Sequence, residues 1–132
     1  MEKYSSFYDL LVNYKILPNG MIYSVEKTEN DLKNATFYVV NTTEEKSIDY
    51  TEGDLGDVPV EIYNDDFIVC ELIETQTFKT IIEKKTETNP EINFDGNVEI
   101  FINALEFYLD FDTFQEEENS LFKSGKTKKY EQ

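Results

Sequence analysis

Residues 95–111 read DGNVEIFINALEFYLDF and carry the strongest structural signal in this chain of 132 residues. Their apolar positions form two neighbouring stripes at helical spacing. The first stripe comprises Val98, Phe101, Ile102, Leu105 and Leu109, and the second comprises Ile100, Ala104, Phe107 and Phe111. A helix that is apolar over most of its circumference must be enclosed by other elements. The stretch therefore predicts a buried core helix, with Asp95 as its N-cap.

Two further helices are predicted on the N-terminal side of this core helix. The motif Ser6-x-x-Asp9 precedes an apolar run and resembles a capping box, which predicts an amphipathic helix over residues 6–16. Apolar residues at helical spacing predict another helix over residues 78–87, capped by Thr75 or Thr77. The sequence Asn-Pro that follows ends this helix, because the residue before a proline is driven out of the helical region.

Strand-like runs rich in β-branched and aromatic residues lie between the helices. They occupy residues 21–26, 35–40, 58–63 and 67–73, with a shorter one near 47–50. Pro59 restricts its run to the edge of a sheet or the start of a strand. The sequence thus predicts an α+β fold in which a small antiparallel sheet packs against a buried C-terminal core helix and two or three other helices.

The domain prediction follows from length and from the distribution of charge. A chain of this size is typical of one domain, and we assign residues 1–122 to a single globular domain. The motif Thr113-x-x-Glu116 predicts a short last helix within it. Residues 123–132, KSGKTKKYEQ, have no apolar pattern and are predicted to be a flexible lysine-rich tail.

The net charge of −16 is the most unusual property of the composition. Such a protein repels nucleic acid and anionic membranes and attracts basic proteins at long range. We therefore expect no direct binding to nucleic acid and no binding to membranes. The N-terminus lacks the apolar segment of a secretory signal, and no run is long enough to span a bilayer. These features predict a cytoplasmic protein.

The residue types needed for most enzyme mechanisms are missing. The sequence has no histidine and no arginine, so it lacks the usual proton shuttle at neutral pH and the bidentate clamp for phosphate or carboxylate groups. Its single cysteine, Cys70, lies in an apolar strand and is best explained by packing. We predict no catalytic residue, metal site or cofactor. A pair of acids drawn from Glu99, Glu106 and Asp110 is the remaining route to an enzyme or a small-ligand module.

Residues 44–66, which we name the acidic segment, contain nine acidic residues and one lysine. Two tyrosines lie within it. Carboxylates around rigid aromatic rings suit a contact surface for a basic groove, because the charges accelerate association and the rings bury apolar area. The predicted partner-binding residues are Tyr50, Glu52, Asp54, Asp57, Tyr63, Asp65 and Asp66. The alternative is a solvated loop region whose tyrosines point into the core.

The C-terminal half also contains a pattern of packing residues that resembles the pattern of a known protein family. Its parts are Phe78-x-x-Ile81-Ile82, Pro90 and Ala104-Leu105-x-Phe107-Tyr108-x-x-x-Asp112-x-Phe114. This pattern resembles small bacterial immunity proteins and related domains of unknown function. The resemblance implies an α+β cytoplasmic protein that neutralises a toxin domain delivered by a neighbouring cell, as in contact-dependent growth inhibition. Residues 1–59 show no such resemblance.

Three functions follow from these observations. The first is an immunity protein that binds and neutralises a cognate bacterial toxin domain by docking of its acidic surface. Since a nuclease presents a basic groove to phosphates, we expect this toxin to be a nuclease. The second is a phage-type inhibitor that mimics nucleic acid, such as an anti-CRISPR or anti-restriction protein. The third is the carboxylate enzyme or small-ligand module, which a deep pocket with two convergent acids would support.

Overall fold

The computed structural model describes residues 1–112. The predicted short helix after residue 113, the domain boundary at residue 122 and the predicted tail over residues 123–132 lie outside the described residues. Within residues 1–112, no helix combines the length and the apolar character needed to cross a bilayer.

Helices and strands alternate irregularly along the described chain. In order they are β1 (Glu2–Tyr4), α1 (Phe7–Val12), β2 (Gly20–Glu26), β3 (Thr36–Asn41), β4 (Tyr50–Glu52), β5 (Asp57–Pro59), β6 (Ile68–Glu74), α2 (Thr75–Thr88) and α3 (Val98–Phe111). Four strands form an antiparallel sheet in the order β1-β3-β2-β6, and β4 and β5 form a separate hairpin. The predicted α+β class is confirmed. Strand β1 was not predicted.

The two faces of the four-stranded sheet belong to two different cores. Successive side chains along a strand point to opposite faces of the sheet. Ile22 therefore belongs to one core, and its neighbour Tyr23 belongs to the other. The same separation holds for Val39 and Val40. The first core lies under the three helices, and the second lies under the acidic segment.

The first core is built around large aromatic side chains that are fully buried. Phe7, Phe37, Phe78 and Phe101 are among them. The ring of Phe7 meets those of Phe37 and Phe78 edge-on, at centroid distances of 5.8 and 6.1 Å. This geometry is favourable because the positive edge of one ring faces the negative face of another. Helices α1 and α2 are thereby fixed to β3 through one aromatic cluster.

Helix α1 begins as its sequence predicts. The Ser6 hydroxyl accepts a hydrogen bond from the Asp9 amide at 3.1 Å, and the Asp9 carboxylate accepts one from the Ser5 amide at 3.0 Å. Both amide groups would otherwise lack partners. Helix α1 ends at Val12 and continues as a 3₁₀ turn at Tyr14–Ile16, so the predicted helix over residues 6–16 is two pieces.

The caps predicted for the other two helices are wrong. Helix α2 begins at Thr75, whose hydroxyl instead accepts a hydrogen bond from the Gly20 amide at 2.9 Å, so this side chain ties the helix to β2. Helix α3 begins at Val98, after Asn97 and not after Asp95. Gly96 lies between them with a φ of 83°, which places Asp95 outside the helical turn.

Helix α3 is buried on one face only. Phe101, Ile102, Ala104 and Leu105 are buried, whereas Ile100 and Leu109 are 39% and 42% exposed. The prediction that the helix is enclosed over most of its circumference is therefore wrong. The reason is its place in the fold: α3 packs on α2 and on the 3₁₀ turn Leu32–Asn34, at the outside of a single helical layer.

Candidate functional site

The acidic segment forms a layer over the second face of the sheet. Two of its apolar side chains point inward: Val58 and Ile62 are buried against Tyr23, Val40 and Val69. Its acidic residues between Asp49 and Asp66 are all exposed. This division explains the sequence pattern, because a segment that is both acidic and apolar can hold one surface against the sheet and the other in water. The layer is the candidate site.

The β4–β5 hairpin sets the positions of two predicted site residues. Its register pairs Glu52 with Asp57 beside the turn, and the Gly53 amide closes the turn by donating to the Gly56 carbonyl at 2.8 Å. Two like charges opposite each other on neighbouring strands destabilise a sheet. No packing benefit offsets this cost, since both side chains are exposed. The hairpin therefore carries a repulsion at its surface that its own packing does not offset.

The carboxylate of Asp54 has a structural role. It accepts a hydrogen bond from the Val69 amide at 2.8 Å, while the Asp54 amide donates to the Val69 carbonyl at the same distance. The Glu71 amide donates to the Leu55 carbonyl at 2.8 Å. These bonds place the hairpin turn along the outer edge of β6 and cover backbone groups that would otherwise be exposed there. Asp54 thus anchors the layer to the sheet through its hydrogen bonds with Val69.

The two tyrosines of the predicted site have different environments. Tyr50 is half-buried and packs against the second core, and burial raises the pKa of its phenol. This position matches the alternative that the sequence left open, in which a tyrosine points into the core. Tyr63 is 41% exposed, and its hydroxyl donates to the Asp65 carboxylate at 2.7 Å. That hydrogen bond raises the pKa of the Tyr63 phenol.

An exposed apolar patch lies beside Tyr63 and was not found from the sequence. Val60 is 50% exposed, and its carbonyl accepts a hydrogen bond from the Tyr63 amide at 3.2 Å across a single 3₁₀ turn. Glu61 lies between the two, and Asp65 and Asp66 follow at the surface. An apolar centre with a charged rim is the composition of many protein interfaces. The signal in the sequence was a single valine after Pro59, which is too short to interpret alone.

Few carboxylates of the candidate site are neutralised by other groups. Within residues 1–112, no lysine forms a salt bridge with any acidic residue of the acidic segment. Glu44 is the one member with an ion pair there, to the Met1 amine at 2.8 Å. The remaining eight carboxylates of the segment keep their charge toward solvent, which makes this layer strongly negative.

The described residues show neither a reactive cysteine nor an arrangement of ligands for a metal ion. Burial raises the pKa of the Cys70 thiol, which keeps it protonated and weakly nucleophilic. Among residues 1–112, no group of three or more acidic or cysteine side chains is arranged to hold a metal ion. Glu106 and Asp110, named from the sequence as a possible acid pair, both line a groove on the other face of the sheet, while Glu99 lies elsewhere.

Comparisons with known proteins add no relative. No family model, no curated protein and no solved structure matches the chain. The resemblance to immunity proteins therefore stays a prediction based on its packing residues, and the site must be argued from its own geometry.

Proposed function

We propose that this protein binds a basic protein partner through the acidic segment and neutralises it, without chemistry of its own. The observation that carries the proposal is a set of exposed carboxylates that have no lysine partner within residues 1–112, placed around the exposed apolar patch of Val60 and Tyr63. Charge of this kind steers a basic partner into contact, and the apolar centre then buries surface and slows dissociation.

The finer form of the proposal is an immunity protein in the bacterial cytoplasm. Its partner is a toxin domain, and a nuclease is the type that fits best, because the groove that binds phosphates must be positive. An acidic layer that fills or borders this groove competes directly with the nucleic acid. The exposed like-charge pair of Glu52 and Asp57 supports this reading, since a cationic groove would relieve its repulsion.

Two matched variants test the proposal by removing the same number of charges from different surfaces. The layer variant combines Glu52→Gln, Asp57→Asn, Asp65→Asn and Asp66→Asn. The control variant combines Glu83→Gln, Glu87→Gln, Glu91→Gln and Asp95→Asn. All eight side chains are exposed. Asp54 stays unchanged in both because it holds the layer to the sheet.

The assay is co-expression with the product of the gene directly upstream, which the proposal expects to be the toxin, with growth and complex formation as readouts. We expect wild type and the control variant to protect cells and to co-purify with the toxin. The layer variant should protect poorly while keeping a wild-type circular dichroism spectrum. Full protection by the layer variant, or no complex between the wild-type protein and the toxin, would overturn the proposal.

A further inference from the structure

A groove of about 570 Å³ opens on the helical face of the sheet, between strands β2 and β6 and the second half of α3. It lies on the face opposite to the acidic segment's core. Its volume falls within the range of about 300–1,000 Å³ that is typical of small-molecule sites. The proposed binding of a basic protein makes no use of it.

Ser24 gives this groove a polar group without a partner. The side chain lies in the groove wall and is fully buried, with 0% of its surface exposed. Within the described chain, its hydroxyl forms no hydrogen bond. A buried hydroxyl without a partner destabilises the fold, because it has given up its hydrogen bonds to water and gained none in return. Such a group is retained most readily where a ligand supplies the missing hydrogen bond.

Three carboxylates share the groove with this hydroxyl. Glu26 is only 8% exposed and accepts a hydrogen bond from the Asp31 amide at 3.3 Å. Burial raises the pKa of the Glu26 carboxyl, and the negative charges of Asp31 and Glu106 raise it further. Glu106 and Asp110 lie one helical turn apart on α3 and also line the groove. Among its described lining residues there is no lysine.

The rest of the groove is mostly apolar, with Asn30 and Cys70 as the exceptions. Leu32 and Leu72 lie beside the polar wall, and Leu55 and Leu109 are exposed at the rim. Leu109 lies between the two α3 carboxylates in sequence, and Leu55 comes from the turn that covers β6. A ligand that satisfies every part of this lining must combine a donor-rich positive group with an apolar body.

We propose that the groove binds a small organic cation, namely a primary ammonium or guanidinium group carried on an apolar body. An ammonium group has three donors and no acceptor, which matches a lining of carboxylates and one hydroxyl that can accept. Charge-assisted hydrogen bonds of this type are about twice as strong as neutral ones. The leucines cover the apolar body, and an anion is excluded by the three carboxylates. This site is independent of the proposed docking of a basic protein.

The test is an NMR titration of the full chain, labelled with ¹⁵N, with n-hexylamine as the probe. We expect saturable shifts confined to amides near Ser24, Glu26, Glu106 and Asp110. Hexan-1-ol and hexanoate have the same apolar body and should bind at least tenfold more weakly. If hexan-1-ol binds as tightly as the amine, the groove is only an apolar crevice and the proposal fails.

Variants separate this groove from the general negative charge of the protein. Glu106→Gln combined with Asp110→Asn should weaken hexylamine binding at least fivefold, and Ser24→Ala should weaken it further. Glu83→Gln combined with Glu87→Gln removes the same charge from α2 and should leave the affinity unchanged. An equal loss in both double variants would show non-specific attraction and overturn the proposal.

The blocked peptide Gly-Lys-Gly decides the source of the cation. It carries the same ammonium group on a side chain attached to a backbone, and we expect it to bind at least tenfold more weakly than hexylamine. Equal binding would contradict a small-molecule site and assign the groove to a side chain of a protein partner. Because this titration contains no toxin, failure here leaves the proposal for the acidic segment unaffected.

Discussion

The two faces of the central sheet are covered in different ways. The helical face buries large side chains in one continuous core, including four fully buried phenylalanines. The other face is covered by a short hairpin and its flanks, and its buried core contains only Tyr23, Val40, Val58, Ile62 and Val69. The apolar burial that stabilises the fold is thus concentrated on one face, whereas the acidic segment covers the other face with a smaller core. This difference indicates that the helices contribute most of the packing that stabilises the sheet, and it supports the proposal that the acidic segment binds a partner.

The acidic segment, which covers the second face of the sheet, is also held by fewer buried contacts than the helical layer. Its turn is held to β6 by three backbone and side-chain hydrogen bonds at Val69 and Glu71. Regions with few buried contacts open before the whole protein unfolds. We therefore expect the acidic segment to open at a lower free energy than the helical layer, and four substitutions test this comparison.

The largest effect should come from Phe7→Ala on the helical face. Phe7 is fully buried against Phe37 and Phe78, and the cavity left behind should lower the free energy of unfolding by about 3–5 kcal/mol. Val58→Ala on the other face should cost roughly 2 kcal/mol, because fewer methyl groups are lost. Urea denaturation measures both values. An equal cost at both positions would contradict the difference between the two cores.

Gly56→Ala should have the next largest effect. Gly56 has a φ of 72°, and a Cβ there would lie 2.8 Å from the Glu71 Cβ, so the turn would be pushed away from β6. Strain in the backbone alone costs roughly 1–2 kcal/mol. Gly96→Ala is the matched control, since its φ is 83° but a Cβ there meets nothing within 4 Å. We expect the Gly56 variant to unfold more easily than the Gly96 variant, and equal stability would exclude the contact with Glu71 as a cause.

Asp54→Ala tests the hydrogen bond that anchors the turn to the sheet. The variant leaves the Val69 amide without its acceptor and should lose about 1 kcal/mol. Asp57→Ala removes the same charge from the same hairpin and should change stability by less than about 0.5 kcal/mol, since it also relieves repulsion with Glu52. Hydrogen exchange should show faster opening at Val69 in the Asp54 variant alone. Slower or unchanged exchange at Val69 would show that Asp54 does not hold the turn to β6.

The smallest effect concerns pH and the buried carboxyl of Glu26. Burial raises its pKa in the folded protein, so stability falls as the pH rises from the ordinary pKa of glutamate to that raised value, and the loss is complete above it. Below the ordinary pKa of glutamate the carboxyl is neutral in both states and this cost disappears. The stability advantage of Glu26→Gln over wild type should therefore be larger at about pH 7 than at about pH 4. Urea denaturation at both pH values measures this gain, with Glu29→Gln as the control for lost charge. A gain of the same size in the control would contradict burial as the cause.

The sequence predicted what depends on local patterns. Ser6 and Asp9 lie three residues apart and cap α1 as expected, and the buried face of α3 follows its apolar spacing. Three of the five predicted strands, at 21–26, 35–40 and 67–73, match β2, β3 and β6 to within one residue at each end. The strand predicted over residues 58–63 is wrong beyond Pro59, where the chain turns into a 3₁₀ helix. These features arise from hydrogen bonds and periodicities that span one segment, and sequence alone therefore contains enough information for them.

The features that were missed depend on residues far apart in the chain. Strand β1 has three residues and exists because it pairs with β3, and no periodicity can reveal so short a segment. Asp54 resembles its exposed neighbours in sequence, and only its bond to Val69 distinguishes it. The groove brings together Ser24 and Glu26 of β2 with Glu106 of α3, which lies about eighty residues further along the chain. Of these, the sequence named only Glu106, as a member of a possible acid pair.

The central claim is that the acidic segment attracts a basic partner by its charge. The most direct measurement is the association rate constant of this protein with the product of the gene directly upstream, the expected toxin, by stopped flow at low and high salt. We expect wild type and the control variant to associate quickly at low salt and to slow by about tenfold or more at high salt. The layer variant should associate slowly at both. A wild-type rate constant with no dependence on salt, or an equal loss in the two variants, would contradict the claim.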